Sequence, residues 1–189
     1  MKKYKICCLT YSKLYDITEK AISLLNDEEI EVINVQCRHN HIYDTVKQQN
    51  NNGTEVFIAG GSTLVIFKDS YDLPIIPIEP SYLDYIECIN KASRISNHIA
   101  IVTYLTPLDF DLSLIGNLLN VQITNVVYEY SYDLSNKLLE SGCKVVIGTS
   151  FAVEISLNLN LSGLLVYPGE DVIVKTIYTA KSFAREIRK

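Results

Sequence analysis

The chain has 189 residues, 48% of them hydrophobic, and a formal net charge of −5 at neutral pH. That is enough apolar material for one large domain or two small lobes with their own cores. The acidic balance excludes a surface built to grip a nucleic acid backbone, and no apolar run approaches membrane-spanning length, so a cytoplasmic protein with no direct nucleic acid contact and no membrane partner is expected.

In chain order, short apolar runs predict strands at 5–10, 31–37, 55–59, 74–79, 98–104, 122–130, 144–148 and 163–167. Several are almost wholly apolar, such as Ile99-Ala100-Ile101-Val102 and Val145-Val146-Ile147, as strands covered on both faces are. Helical spacing fills the intervals at 14–25, 42–49, 82–93, 108–119, 134–140 and 171–189, with a further helix after each of the turns at residues 60 and 148. Strand and helix in alternation imply an α/β fold with parallel, Rossmann-like or flavodoxin-like sheets.

The pattern runs twice. Ile6-Cys7-Cys8-Leu9-Thr10-Tyr11 parallels Ile99-Ala100-Ile101-Val102-Thr103-Tyr104, and the stretch from Gly53 to Ser62 parallels that from Gly142 to Phe151. Two similar lobes are expected, residues 1–82 and 83–170, with the final helix 171–189 folding back on the first. The boundary is expected near residues 79–95, with helix 82–93 joining the lobes, and the cleft between them is expected to resemble that of a periplasmic binding protein.

Parallel α/β sheets bind ligands at the carboxyl ends of their strands, where helix N-termini present free amides and partial positive charge. Small residues in those turns admit an anion. The turns of this kind are Thr10-Tyr11-Ser12, Gly60-Gly61-Ser62-Thr63, Pro80-Ser81, Tyr104 after Thr103, and Gly148-Thr149-Ser150. Arg38, after the second strand, offers a guanidinium that can fork onto a carboxylate. Tyr11, Tyr104 and Tyr167, among thirteen tyrosines and no tryptophan, fall at strand ends where they can line a cleft. No phosphate loop or dinucleotide fingerprint is present, so no cofactor is expected. His39 and His41 flank Asn40 without further ligands at suitable spacing, so no metal is expected. The five cysteines, Cys7, Cys8, Cys37, Cys88 and Cys143, form no Cys-x-x-Cys pair and read as reduced, buried thiols.

Taken together, the run from Glu55 to Thr63, then Asp72-Leu73-Pro74-Ile75-Ile76-Pro77-Ile78, then Pro80-Ser81-Tyr82-Leu83-Asp84, resembles the N-terminal sensor domain of propionate catabolism activators. In the second half, the runs 99–104 and 142–148 and Leu164-Leu165-Val166-Tyr167-Pro168-Gly169-Glu170 follow in the same order, so the resemblance covers nearly the whole chain. It implies a module placed ahead of an AAA+ ATPase that engages sigma-54 RNA polymerase and a helix-turn-helix, none of which lies in these residues. In the propionate branch it implies 2-methylcitrate as effector, with Gly60, Gly61, Ser62, Thr63 and Pro80-Ser81 matching the ligand region. Ala59 stands where many members carry arginine, and Gly148-Thr149-Ser150 where a glycine-richer turn is usual.

The expected function is thus a regulatory domain that senses a small anionic effector and is not itself an enzyme. The alternative is a two-lobe enzyme of racemase or lyase type acting on a carboxylic acid; cofactor-free racemases of that shape use paired cysteines, which the equivalent turns lack. A homodimer is compatible with either reading.

Overall fold

A computed structural model describes residues 2–189, the side chains of His39 and Ser131 excepted. Strand and helix alternate through β1 (Tyr4–Thr10), α1 (Lys13–Ser23), β2 (Ile30–Gln36), a 3-10 turn (His39–His41), α2 (Ile42–Asn51), β3 (Val56–Ala59), α3 (Gly61–Ser70), β4 (Ile75–Pro77), α4 (Tyr82–Ser93), β5 (His98–Tyr104), α5 (Leu112–Leu119), β6 (Gln122–Tyr128), α6 (Ser131–Glu140), β7 (Val145–Gly148), α7 (Ser150–Asn158), β8 (Ser162–Leu165) and α8 (Glu170–Ile187). The chain divides into two compact units: the first holds Met1–Pro80 and Pro168–Lys189, the second Ser81–Tyr167. Each contains one four-stranded parallel sheet, ordered β2-β1-β3-β4 in the first and β6-β5-β7-β8 in the second. The expected α/β class with two parallel sheets is what forms.

Strand periodicity explains both cores. Alternate residues point to opposite faces, so a strand with helices on both sides must be apolar throughout. In the first unit Ile6, Cys8, Val56 and Ile58 pack with Ala21 of α1 and with Ile173, Ile177, Ala180 and Ala184 of α8. Their neighbours Cys7, Leu9, Phe57 and Ala59 pack on the other face with Ile42 and Val46 of α2 and Phe67 of α3. The second unit repeats the arrangement. Ile99, Ile101, Val145 and Ile147 meet Cys88, Ile89 and Ala92 of α4 and the α5 side. Ala100, Val102 and Val146 meet Leu134 and Leu138 of α6 and Ala152 of α7. The five cysteines are unbridged and buried within these layers. Burial drives the Cys7 thiol up to about 12 and raises Cys8 further, so both remain protonated.

Strand register makes the duplication residue-specific. Cys8 pairs with Ile58 in the first sheet, and the matching Ile101 pairs with Ile147 in the second. Gly53 and Gly142, each three residues before β3 or β7, both have positive φ, +83° and +66°. Ser81 and Gly169 are the N-caps of α4 and α8. Those two helices are exchanged: α4 follows β4 but belongs to the second unit, and α8 follows β8 but belongs to the first.

Two paired features mark the strand ends. Asn34 and Asn125 lie opposite Cys8 and Ile101 on the neighbouring strand. Thr10 donates to Asn34 Oδ1 at 2.5 Å, and Asn34 Nδ2 donates to the Tyr15 carbonyl at 3.1 Å and to Glu19 at 2.8 Å. Asn125 Nδ2 donates to the Ile101 carbonyl at 2.9 Å and to Thr103 Oγ1 at 3.0 Å, while its Oδ1 accepts from Leu108 N at 2.8 Å. Each asparagine therefore ties a strand end to the segment that follows. Immediately after the strand-end tyrosines, Ser12 and Leu105 occupy matching places with φ of +53° and +62°, a region that costs a side chain strain.

Two elements end differently from their sequence limits. The helix expected at 108–119 begins only at Leu112, because Asp111 caps it, accepting from Ser113 N and Leu114 N at 3.0 Å each. The strand expected at 122–130 ends at Tyr128, because Tyr130 is already the N-cap of α6.

Ion pairs fasten α8 to the first unit. Lys181 Nζ lies 2.6 Å from Asp27 and 2.7 Å from Glu29. Arg188 forks onto Glu55, with Nε at 2.6 Å from Oε2, donates to the carbonyls of Lys2 at 2.8 Å and Lys3 at 2.6 Å, and sits 4.0 Å from the Tyr4 ring centroid. Hydrogen bonds from Lys181 and Arg188 hold Asp27 and Glu55 below their ordinary values of 3.8 and 4.5.

Replacing Asn125 with leucine removes three hydrogen bonds and strands the Leu108 amide; urea unfolding is expected to show a loss of about 2 kcal/mol. Leu105→Gly is expected to raise stability by about 1 kcal/mol in the same assay, since relief of left-handed strain exceeds glycine's entropic cost. Stability from Asp27 and Glu55 is present above their ordinary values and lost as pH falls through the lowered folded ones. The urea midpoint of the parent chain is therefore expected to fall more steeply below pH 3.8 than that of Asp27→Asn/Glu55→Gln, which starts lower at neutral pH.

Candidate ligand-binding site

In the first sheet β1 and β3 are neighbours, yet α1 and α3, which follow them, cover opposite faces. Chains diverging in this way leave a crevice at the strands' carboxyl ends, the usual ligand position of parallel α/β sheets. The turns Thr10-Tyr11-Ser12 and Gly60-Gly61-Ser62-Thr63 flank it. The second sheet has the same divergence at β5 and β7, flanked by Tyr104 and by Gly148-Thr149-Ser150.

Several expected site residues have structural tasks. Thr10 is 1% exposed and its hydroxyl is engaged by Asn34, so it positions the turn. Gly60 is the N-cap of α3, and a Cβ there would lie 3.1 Å from the Ile78 carbonyl oxygen. Gly61 has φ of +56°. The glycine pair is thus required by backbone geometry, and it leaves the first amides of α3 without side chains over them. Ser62 and Thr63 follow in the first turn of that helix, half-buried. Pro80 ends the first unit. Ser81 begins the second and forms a capping box with Asp84: its amide and hydroxyl donate to Asp84 Oδ2 at 2.7 and 2.8 Å, and Asp84 N donates back at 3.3 Å.

Gly148 ends β7 buried, and a Cβ there would come within 2.7 Å of the Ala152 Cβ. The N-cap of α7 is Thr149, so Thr149 and Ser150 match Gly60 and Gly61, as the parallel of 53–62 with 142–151 pairs them. Both carry side chains where the first unit has glycines, and Thr149 makes no side-chain capping bond.

A cleft of about 440 Å³ lies beside the ends of β1 and β2 in the first unit. Tyr11, Gln36 and Arg38 line one side, while His41, Asp44, Thr45 and Gln48 line the other at the spacing of a single helical face. Arg38 is exposed with its guanidinium 5.2 Å from the Tyr11 ring centroid. No carboxylate among the described residues forms an ion pair with it. Ser12, the exposed N-cap of α1, makes no side-chain capping bond. Among the described residues no cluster of metal-ligating side chains occurs; the side chain of His39 lies outside them.

At the corresponding strand ends of the second unit aromatic rings gather. Tyr104 lies 5.3 Å from Tyr128, tilted by 60°, and Tyr128 lies 5.7 Å from Phe151 of α7, tilted by 37°. Tyr130 stacks on Tyr132 at 5.4 Å. Sequence reasoning found Tyr11, Arg38 and Tyr104 but missed Gln36, the helix face of Asp44 and Gln48, and the rings Tyr128, Tyr130 and Phe151. Its attention went to small residues at helix N-termini, whereas these side chains end an edge strand or stand in the first turns of the next helix. The spacing 41, 44, 45, 48 and the tyrosines at 128 and 130 were the available signals.

The NtrC family transcriptional regulator from Clostridium acetobutylicum superposes with a TM-score of 0.78 over 99% of each chain at 19% identity, which establishes a common fold. The transcription regulator CcpA of Lactococcus lactis aligns with a TM-score of 0.49 at 9% identity, over 98% of this chain and 92% of its own, a likeness too low to carry an argument. A family model described as propionate catabolism activator matches residues 26–189. The chain therefore belongs to the propionate catabolism activator family.

Proposed function

We propose that this chain is the sensor domain of a bacterial transcription activator and that it binds a small anion of the carboxylate class. The observation that carries the reading is Arg38, an exposed guanidinium with no ion-pair partner among the described residues, poised over Tyr11 in the 440 Å³ cleft. A planar fork of donors without a carboxylate of its own suits a carboxylate from outside. The open amides of the Gly60-Gly61 turn add anion-binding capacity at the same end of the sheet.

The family supports a regulatory role, and a 2-methylcitrate-like effector follows from the propionate branch. The proposal retains the expectation that both halves of the duplication take part in effector binding, with Thr10, Tyr11, Ser12, Arg38, Gly60–Thr63 and Pro80 from the first unit and Ser81, Tyr104, Gly148, Thr149 and Ser150 from the second. In a longer regulator, binding would bias the state passed to an AAA+ ATPase and to sigma-54 RNA polymerase, by as much as the effector's differential affinity for the two states. The setting is cytoplasmic. The structure contributes one fact here: among the described residues no helix is long and apolar enough to cross a membrane.

Thermal unfolding with citrate, 2-methylcitrate and inorganic phosphate tests this. A carboxylate at about a hundred times its dissociation constant is expected to add about 2.7 kcal/mol of stability. Arg38→Ala is expected to weaken that binding at least tenfold, and Arg38→Lys to restore it only in part because the fork is lost. The reading fails if no carboxylate shifts the transition, or if Arg38→Ala responds as the parent does.

A further inference from the structure

The duplicated halves carry opposite charges at one matching position. Glu31 and Gln122 occupy equivalent places, in register with Lys5 of β1 and with His98 of β5, the residues that precede the matched Ile6 and Ile99. Counting along β2 and β6 from that pair, Arg38 falls opposite Glu129. Around Arg38 stand Tyr11, Gln36 and His41; around Glu129 stand tyrosines. The exposed Tyr130 hydrogen-bonds Glu129, which raises its pKa, with a smaller contribution from the Tyr104 phenol. Tyr104 also acts on Tyr128, whose pKa is raised chiefly by burial, so these phenols lie near one another and near the carboxylate.

Charge along the chain points the same way. No lysine or arginine occurs between Arg94 and Lys137, the stretch that holds both β5 and β6. Lys137 itself is tied to Asp133 at 3.1 Å and to the Val127 carbonyl at 3.2 Å. Residues 81–167 hold eight carboxylates against four basic groups, a net −4 of the chain's −5. Among the described residues no lysine or arginine belongs to the ends of β5 and β6, so an anion there would depend on a cation from elsewhere, such as Arg38. A cation would meet a carboxylate and the electron-rich faces of rings set at 60° and 37° to one another.

We infer that the strand ends of β5 and β6 form a binding site for an organic ammonium group, with Tyr104, Tyr128, Tyr130 and Phe151 as its aromatic wall and Glu129 as its counter-charge. The site goes beyond the carboxylate reading, which rests on Arg38 of the first unit; it shares only Tyr104 with the residues proposed there and has the opposite preference. Aromatic faces attract a diffuse cation such as a methylated ammonium more than a compact, strongly hydrated one, so quaternary amines are favoured over sodium or potassium.

Choline is the probe, and 3,3-dimethylbutan-1-ol, its neutral isostere, is the control. With no tryptophan in the chain, the emission comes from its thirteen tyrosines, Tyr104, Tyr128 and Tyr130 among them. In the full chain at constant ionic strength, choline is expected to change that emission saturably and to bind at least tenfold more tightly than the isostere. Calorimetry is expected to give the same constant. Glu129→Gln and Tyr130→Leu alter exposed side chains and so spare the core; each is expected to weaken choline about tenfold while leaving Arg38-dependent citrate binding unchanged. Equal binding of choline and the isostere would overturn the inference, as would choline binding that ignores both substitutions or no saturable response to choline. Citrate binding without choline binding sinks this site and leaves the carboxylate reading intact; choline binding without any carboxylate effect does the reverse.

Discussion

A strand covered by helices on both sides has no place for a charge along its length. That constraint fixes most of this molecule. It makes β1, β3, β5 and β7 nearly uniform apolar runs, drives Cys7 and Cys8 into the core as protonated thiols, and leaves charged groups to the strand ends, the ion pair of Glu55 at the amino end and Arg38 at the carboxyl end. At those ends the chain must still turn into a helix. The small residues there serve the turn first and a ligand second, as Gly60 shows by standing 3.1 Å (as a Cβ) from a backbone oxygen.

Duplication then supplies two copies of one scaffold; the cores exchange one apolar residue for another, and the differences in charge fall at the rims. The Asn–Thr ties, the positive-φ residues Ser12 and Leu105, and the turns at Gly53 and Gly142 are kept in both halves because each holds a backbone path in place. What differs is what projects: open glycines and an arginine in the first unit, hydroxylated caps, aromatic rings and a glutamate in the second. Strain kept at matching places beside a candidate site is consistent with a scaffold whose strand ends are held in position before anything binds.

The fold was largely readable because period-two and helical patterns report burial, and burial is what both sheets are made of. The strand pairs 6–11 and 99–104 could be matched by eye for that reason. Limits set by single side chains were harder. Asp111 starts α5 and Tyr130 ends β6, and neither changes the hydrophobic pattern. The candidate site was legible only in part: Arg38 and Tyr11 stand at a strand end, where position alone suggests exposure. The helix face of Asp44 and Gln48, the ring contacts of Tyr128 and Phe151, and the engagement of Thr10 and Ser81 by Asn34 and Asp84 depend on what approaches through space. A one-dimensional string does not state those contacts.

The exchanged helices bear on how such a chain could arise. A polypeptide ending after α4 would leave one sheet face bare, and it would also leave bare the apolar stripe of a helix suited to a different sheet. Two such polypeptides could cover both exposed surfaces at once by trading their last helices, without any new contact having to be invented. Joining them end to end would convert that obligatory partnership into a single gene product and free each half to change its rim independently.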